Sequence, residues 1–146
     1  MANKDLVQLI NQEVSNFSVL FTKLHNYHWY VKGPHFFELH IKLEELYNEA
    51  SANLDELAER LLALDEKPVA TMKEHLELST LDEAKGSEKT DKMIQQVIED
   101  FKKVSGELRD GIKLADEEGD PVTSDMLSNM SESLDKHCWM LRAYLD

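Results

Sequence analysis

The chain has 146 residues, 29 of them acidic and 16 basic, which gives a formal net charge of −13 at pH 7. So acidic a protein repels the phosphate backbone of nucleic acids unless its basic residues are concentrated in one place. The N-terminus offers only Lys4 before the first apolar side chain, so we expect no DNA binding. No apolar run approaches the ~20 residues that span a bilayer, and we expect no membrane association.

The first residues lack the basic and apolar regions of a signal peptide, and the single cysteine, Cys138, excludes a disulfide within the chain. Both features favour a reducing compartment, so the cytoplasm is the expected location. The length suits one domain covering residues 1–146. Leu, Glu, Lys and Ala dominate, and three prolines and five glycines are the only strong helix breakers, which favours an all-α fold.

Apolar side chains recur every three or four residues in four long segments, a pattern typical of helices that pack on one face. We expect the first helix from about Lys4 to Val31, where the Gly33-Pro34 pair ends it. The second helix is expected from about Pro34 to Leu64. Together these segments predict two long antiparallel helices joined by a tight turn.

The third and fourth long helices are also marked by their ends. The third carries an apolar stripe over residues 94–115 and is closed by Gly119. Asp120 and Pro121 follow as the N-cap and first turn of the fourth helix, whose apolar side chains run over residues 126–141. The short connection makes this second pair antiparallel as well.

About twenty residues separate the two pairs, and Thr71-x-x-Glu74 within them is a capping box that predicts a short helix to about Leu78. Long helices with short first and third connections and one long crossover describe a ferritin-like four-helix bundle. Growth-hormone-type bundles need two long crossovers, and only one is visible. We therefore predict a ferritin-like bundle with a short extra helix in the crossover between helices 2 and 3.

Four side chains on the second helix point to a metal site. His40 and Glu44 are four residues apart, as are Asp55 and Glu59, so each pair shares one helical face, beside the apolar stripe. Glu44 and Asp55 lie ~16 Å apart along a helix, whereas metal ligands converge to ~2.0–2.6 Å. The pairs must be half-sites, and an antiparallel copy of the helix across a two-fold axis would complete both.

The donor types restrict the metal. Carboxylate oxygen with imidazole nitrogen suits Fe(II), Mn(II) or Zn(II), and no cysteine takes part. The chain has no Glu-x-x-His, the motif of di-iron sites inside ferritin bundles, which argues against a site within one bundle. Taken one at a time, His28 and His40 are more simply interpreted as packed core histidines, and the carboxylates of the second helix as solvated charges. The joint placement of carboxylates without basic neighbours beside an apolar stripe favours metal binding instead.

Three segments resemble a known family, and the resemblance runs essentially end to end. Residues 28–33 (HWYVKG), 35–40 (HFFELH) and 55–60 (DELAER) closely resemble the Dps mini-ferritins, the DNA-binding proteins from starved cells. The resemblance implies a hollow homo-dodecamer of four-helix bundles with twelve ferroxidase sites, each spanning a two-fold interface. It also implies that His28, His40 and residue 44 come from one subunit and that Asp55 and Glu59 come from its neighbour. Position 44 is usually Asp in the family and is Glu here.

The resemblance further implies that Trp29 lies near the iron and can give up an electron, although a packing role at the interface fits its sequence position equally. His25 and His35 are close enough in sequence to serve as supporting residues or as extra ligands, and the residues alone decide neither. No organic cofactor is expected, because the ligands themselves hold the iron in an open coordination sphere.

A second acidic cluster surrounds the turn between the third and fourth long helices. Negative charge at the C-terminus of a helix opposes its dipole, so the acids at 116–118 call for a functional explanation. In the family this turn lines three-fold pores through which Fe(II) enters. Asp116 and Asp125 match pore positions, and Asp120 stands beside a third. The plainer interpretation is solvated surface charge.

The expected function is iron storage and detoxification. The resemblance implies that Fe(II) is oxidised, preferably by hydrogen peroxide, and stored as ferric mineral, which protects the cell from oxidative damage. The alternative is a nucleoid-associated protein that shields DNA by binding it, but DNA binders of the family usually carry Lys-rich tails. A third candidate, a helical interaction module with incidental carboxylates, would leave the ligand-bearing face of the second helix unexplained.

Overall fold

The computed structural model describes residues 3–146, and regular secondary structure within them is entirely helical. Four helices are long and one short helix lies in the crossover, as predicted. The helices are α1 (Lys4–Tyr30), α2 (Phe36–Ala63), α3 (Met72–Leu78), α4 (Thr90–Glu117) and α5 (Pro121–Leu145). Between residues 3 and 146, none of them combines the length and the apolar character that a bilayer span requires.

The helix ends follow local chemistry that the sequence predicted. The Thr71 hydroxyl accepts the Glu74 backbone N–H at 3.2 Å and so caps α3, which confirms the capping box. Asp120 caps α5 by accepting the Thr123 N–H at 3.0 Å, with Pro121 in the first turn. Gly119 adopts φ 70°, a left-handed conformation that glycine enters without steric cost, and thereby closes α4.

The direction of α4 relative to α1 follows from side-chain contacts along their length. The end of one helix meets the start of the other, so the two run antiparallel and the crossover must traverse the bundle. Three contacts mark this register, namely the Thr90 hydroxyl to the Lys32 carbonyl at 2.8 Å, Lys23 Nζ to Asp100 Oδ2 at 2.7 Å, and the Gln12 amide to Glu107 Oε1 at 3.0 Å.

The bundle core is apolar and receives side chains from all four long helices. On α2 the buried face carries Leu39, Leu43, Leu46, Ala50, Leu57 and Leu61. Because this face is filled by core packing, the polar face beside it stays outside the bundle. The structure thus leaves the predicted ligand-bearing face of α2 on the molecular surface.

Polar side chains bridge α2 and α5 where these helices face each other. The Arg60 guanidinium donates from Nε to the Thr123 hydroxyl at 2.9 Å and from an Nη to Asp120 Oδ1 at 3.2 Å. Near the middle of α2, the carboxylate of Glu49 faces α5, and both of its oxygens lie 3.1 Å from His137 Nε2. These contacts tie the middle and the C-terminal end of α2 to α5 and its N-cap.

A pair of carboxyl groups lies between α1 and α4. Glu13 is completely buried and accepts amide N–H groups from Gln12 and Asn16 at 3.0 Å. Glu107 accepts the same two amides and the Thr80 hydroxyl. Burial, followed by the interaction with Glu107, raises the pKa of Glu13 to about 9. Glu13 is therefore protonated at neutral pH, and its proton helps to hold α1, α4 and the crossover together.

Replacing Glu13 by Gln should make the stability of the protein less sensitive to alkali. The unfolded carboxyl titrates near its ordinary pKa of 4.5, so the stabilisation from the protonated folded form is complete below that pH and is lost as the pH rises through about 9. Gln keeps a neutral hydrogen-bonding group there at every pH. We expect the Tm of Glu13→Gln to match that of the wild type near pH 5 and to exceed it by several degrees near pH 9.

The measurement is thermal unfolding across this pH range, with Glu132→Gln on the exposed face of α5 as the matched control. The control should follow the wild type at every pH. A Glu13→Gln difference that stays constant with pH would show that the Glu13 carboxyl does not titrate in this way.

Candidate metal centre

His28 at the end of α1 and His40 near the start of α2 form a stacked pair. Their ring centroids are 3.6 Å apart and the ring planes differ by 13°. His28 Nδ1 lies 2.6 Å from the His40 carbonyl, and His40 Nδ1 lies 2.8 Å from the His28 carbonyl. Because a carbonyl can only accept, each Nδ1 carries a proton, and Nε2 is the ring nitrogen left for any other partner. The two bonds thereby fix the orientation of both rings.

Glu44 adds a carboxylate to the histidine pair. Its Oε1 lies 4.0 Å from His28 Nε2, one helical turn after His40 on the same face of α2. The His28 side chain is 8% exposed, whereas that of Glu44 is 53% exposed. The three groups therefore form a half-open arrangement, with the imidazole of His28 buried behind and the carboxylate facing outward.

Asp55 and Glu59 are exposed, three turns further along the same uninterrupted helix. Asp55 lies in a surface groove with Asn48 and Ser51. Across residues 3–146, no three His, Cys, Asp or Glu side chains converge closely enough to hold a metal ion. Within one chain the structure stacks His28 on His40 and places the Glu44 carboxylate 4.0 Å from His28 Nε2, short of a three-ligand cluster, and Asp55 and Glu59 lie further along α2.

Large apolar side chains are exposed around both groups of candidate ligands. Trp29, Phe37 and Ile41 are exposed beside the histidine pair, with Phe37 reaching 75%, and Leu62 is exposed one turn beyond Glu59. Single exposed apolar residues are common, but several that flank polar residues on one face mark a surface that another protein covers. This face of α2 has the character of an interface.

His25 and His35, whose roles the sequence left open, have different surroundings in the structure. The His25 ring stacks on Tyr47 with centroids 3.7 Å apart and lies 5.2 Å from the Trp29 ring. His35 is exposed instead, with its Nδ1 3.5 Å from Glu38 Oε2. His25 therefore reaches His28 only through the Tyr47 ring, whereas His35 belongs to the turn between α1 and α2.

Tyr47 of α2 is partly buried and packs against the core. In the structure its ring stands edge-on against His28, at 5.3 Å between centroids and 87° between planes. Its position three residues after Glu44 was the available clue, since residues three apart on a helix are neighbours. The Tyr47 ring thus contacts His28 of the pair.

The three acids predicted at the pore differ in their surroundings. Asp116 and Asp125 are exposed, while Asp120 is partly buried between α2 and α5. Burial acts to raise the pKa of Asp120, but hydrogen bonds from Thr123 together with the Arg60 guanidinium hold it below its ordinary value. Asp120 remains charged and serves as a helix cap and ion-pair partner, which leaves Asp116 and Asp125 as the acids free to face solvent.

A four-helix bundle with one long crossover and a short helix within it has the architecture of ferritin-like proteins. The chain matches the ferritin-like domain family over residues 7–146. It is 53% identical to general stress protein 20U of Bacillus subtilis (98% of this chain, 99% of the relative), and 49% identical to DNA protection during starvation protein 2 of Bacillus anthracis (99% of both).

Comparison with solved structures points to the same family. Dps from Staphylococcus aureus superposes with a TM-score of 0.96 at 48% identity, covering 100% of this chain and 99% of that one. A Dps protein from Vibrio cholerae, described as a member of a broad superfamily of ferritin-like diiron-carboxylate proteins, gives 0.94 at 33% identity over 98% of this chain and 90% of that one. The chain belongs to the Dps proteins of the ferritin-like family.

Proposed function

We propose that this protein oxidises Fe(II) at sites formed between two copies of the chain and stores the ferric product inside a hollow homo-dodecamer. The reciprocal histidine bonds carry the proposal, because they leave two imidazole Nε2 atoms ready to bind metal beside Glu44. The match to the ferritin-like family and the diiron-carboxylate description of the Vibrio cholerae relative support iron as the metal.

One antiparallel register completes the site and covers the exposed apolar side chains. If a two-fold axis passes between residues 49 and 50 of α2, His40 lies opposite Glu59 of the second copy and Glu44 lies opposite Asp55. The same register sets Phe37, which is 75% exposed, opposite the exposed Leu62. Metal ligation and burial of apolar surface therefore favour the same pairing of two chains.

The completed donor set suits the proposed reaction. Two imidazole nitrogens and three carboxylates bind Fe(II), and the anionic oxygens stabilise the more highly charged Fe(III) still better. Iron is the substrate. Two Fe(II) ions give up one electron each, and one hydrogen peroxide takes both electrons and two protons to form two water molecules. Removing Fe(II) and peroxide together prevents the formation of hydroxyl radicals.

Two further groups of residues are assigned supporting roles. Trp29 is proposed as a reserve electron donor, because its ring lies 5.2 Å from His25, which stacks on Tyr47 beside His28. Asp116 and Asp125 are proposed to line the pore through which Fe(II) enters. Asp120, held by Arg60, fixes the shape of the same turn.

We propose that the protein protects DNA by removing Fe(II) and peroxide and not by binding DNA. Curated relatives are named for DNA protection during starvation. This chain carries a net charge of −13, which opposes contact with phosphate groups. Loss of Fe(II) and peroxide from the surroundings would protect DNA without contact, in keeping with a cytoplasmic location.

The site should need ligands from two chains. A His28→Ala/His40→Ala variant and an Asp55→Asn/Glu59→Gln variant should each fail to oxidise Fe(II). After co-expression, half of the two-fold interfaces pair unlike chains and one of the two sites in each is intact, so about a quarter of the activity should return. The measurement is ferric absorbance after anaerobic Fe(II) loading and peroxide addition.

Mixing the two variants after each has assembled separately is the control, and it should restore nothing unless subunits exchange. If co-assembled particles of confirmed mixed composition stay inactive, the five ligands do not meet between subunits. If either variant is active alone, its substituted residues are not required ligands.

The assembled protein should not bind duplex DNA at neutral pH and physiological salt. Its negative charge repels the duplex, and salt cannot restore an attraction that is absent. A gel-shift experiment without divalent cations checks this. Salt-sensitive retardation under those conditions would contradict the prediction, whereas retardation that appears only on adding divalent cations would indicate bridging by the cation.

The acidic turn should govern uptake of Fe(II) and not its oxidation. Asp116→Asn/Asp125→Asn removes two charges per chain, so Fe(II) should be concentrated less at the pore, most visibly at low ionic strength. Stopped-flow oxidation should therefore slow when Fe(II) and peroxide are mixed with protein together. Oxidation should proceed at the normal rate when Fe(II) has been equilibrated with protein first.

The charge-matched control is Asp82→Asn/Glu83→Gln, which removes two exposed acids from the crossover. It should leave both mixing orders unchanged. Equal slowing of the Asp116/Asp125 variant in both orders would place these acids in the chemistry or the fold, and no slowing in either would return them to ordinary surface charge.

A further inference from the structure

A cavity of about 160 Å³ lies between α1 and the crossover. Its walls include Val19 and Asn26 of α1, Met72 and Leu76 of α3, and Ala84 of the segment between α3 and α4. The lining is mainly apolar and includes none of the five proposed iron ligands. Apolar cavities of about 150 Å³ are large enough to bind benzene, so this one has room for a single small ring.

Asn26 places an unsatisfied acceptor in the wall of this cavity. Its Oδ1 is shielded from solvent and has no hydrogen-bond partner within residues 3–146. Asn11 and Asn16 of the same helix also face the crossover, and each accepts a backbone N–H from it, at 2.9 and 2.8 Å. Buried acceptors in proteins are nearly always paired. The unpaired Asn26 oxygen therefore indicates that an occupant supplies the missing donor.

The charged groups at the cavity favour a neutral occupant. Lys23 borders the cavity with a side chain that is 3% exposed, and its ammonium lies 2.7 Å from Asp100 Oδ2 and 2.7 Å from the Asp82 carbonyl. This ion pair leaves little net charge beside the cavity, and Glu83, which also borders it, is exposed to solvent. A charged occupant would lose its hydration without gaining a counter-ion.

The α3 side of the cavity can adjust to an occupant. No residue of α3 is buried, and Met72 and Leu76 are 80% and 55% exposed. Methionine is unbranched and adapts its shape to a neighbouring group. Shifts of these two side chains open room beside the Asn26 amide at little cost, because they break no core packing.

We propose that this cavity binds a small neutral molecule with one apolar ring and one hydrogen-bond donor, and that the donor pairs with Asn26. The volume and the apolar lining select the ring, the unpaired oxygen selects the donor, and the pairing of Lys23 with Asp100 disfavours a charge. Phenol, whose hydroxyl stays protonated at neutral pH, is a simple molecule of this class. The site is separate from the proposed iron site and does not depend on it.

Equilibrium dialysis of the assembled protein against phenol or toluene tests the site. The two probes are similar in size, but only phenol carries a donor. We expect each probe to bind saturably, with one molecule per chain. Asn26→Leu keeps a similar side-chain volume and removes the acceptor, so it should lower the ratio of phenol affinity to toluene affinity about tenfold.

A second variant and a matched control locate the probes. Ala84→Leu fills part of the cavity and should weaken binding of both probes without changing the particle mass. Asn129→Leu makes the Asn-to-Leu change on the exposed face of α5 and should leave both affinities unchanged. Saturating phenol should also raise the Tm of the wild type, and should raise that of Ala84→Leu less, because a ligand stabilises only the state that binds it.

Three results would overturn the proposal, and the first needs no variant. Wild-type particles that bind neither probe saturably below about 10 mM would show that water or a neighbouring subunit fills the cavity. Undiminished binding in correctly assembled Ala84→Leu particles would place the probes elsewhere on the protein. An unchanged ratio of affinities in Asn26→Leu would show that the Asn26 oxygen does not select a donor.

Discussion

The reciprocal bonds between His28 and His40 connect α1 to α2 and also orient the two rings at the candidate site. His28 stands in the last turn of α1, where backbone carbonyls have no partner within the helix, and the His40 ring satisfies one of them. The return bond from His28 to the His40 carbonyl closes the α1–α2 hairpin. The same two bonds fix the tautomer of both rings and leave Nε2 free. Substitution of either histidine would therefore disturb the hairpin as well as remove a ligand.

The position of the candidate site follows from how α2 divides its surface. Its apolar face, with residues such as Leu43 and Leu57, is buried in the core, so no side chain on that face can hold an ion. Ligands are confined to the neighbouring face, where a helix spreads them over several turns. A straight helix cannot gather His40 and Glu59 around one ion, which is why the proposed site draws its ligands from two chains.

Much of this architecture could be predicted because it depends on local sequence. Periodicity and end signals such as Thr71 and Gly119 located the helices to within a few residues, and helical spacing alone divided the ligands into two groups. Contacts between distant segments could not be predicted. Nothing in the sequence indicates that Arg60 neutralises Asp120, that His25 stacks on Tyr47, or that Glu13 shares a proton-mediated contact with Glu107. Each depends on how helices approach one another.

The proposed division of the ligands between chains would set the order of events during synthesis. A newly made subunit carries two imidazoles and one carboxylate at one end of α2 and two carboxylates at the other. Under the proposed function, such a subunit can neither retain two irons nor reduce peroxide while it is alone. Oxidation of Fe(II) would then begin only after chains have assembled, so assembly itself would keep a free subunit from starting this chemistry.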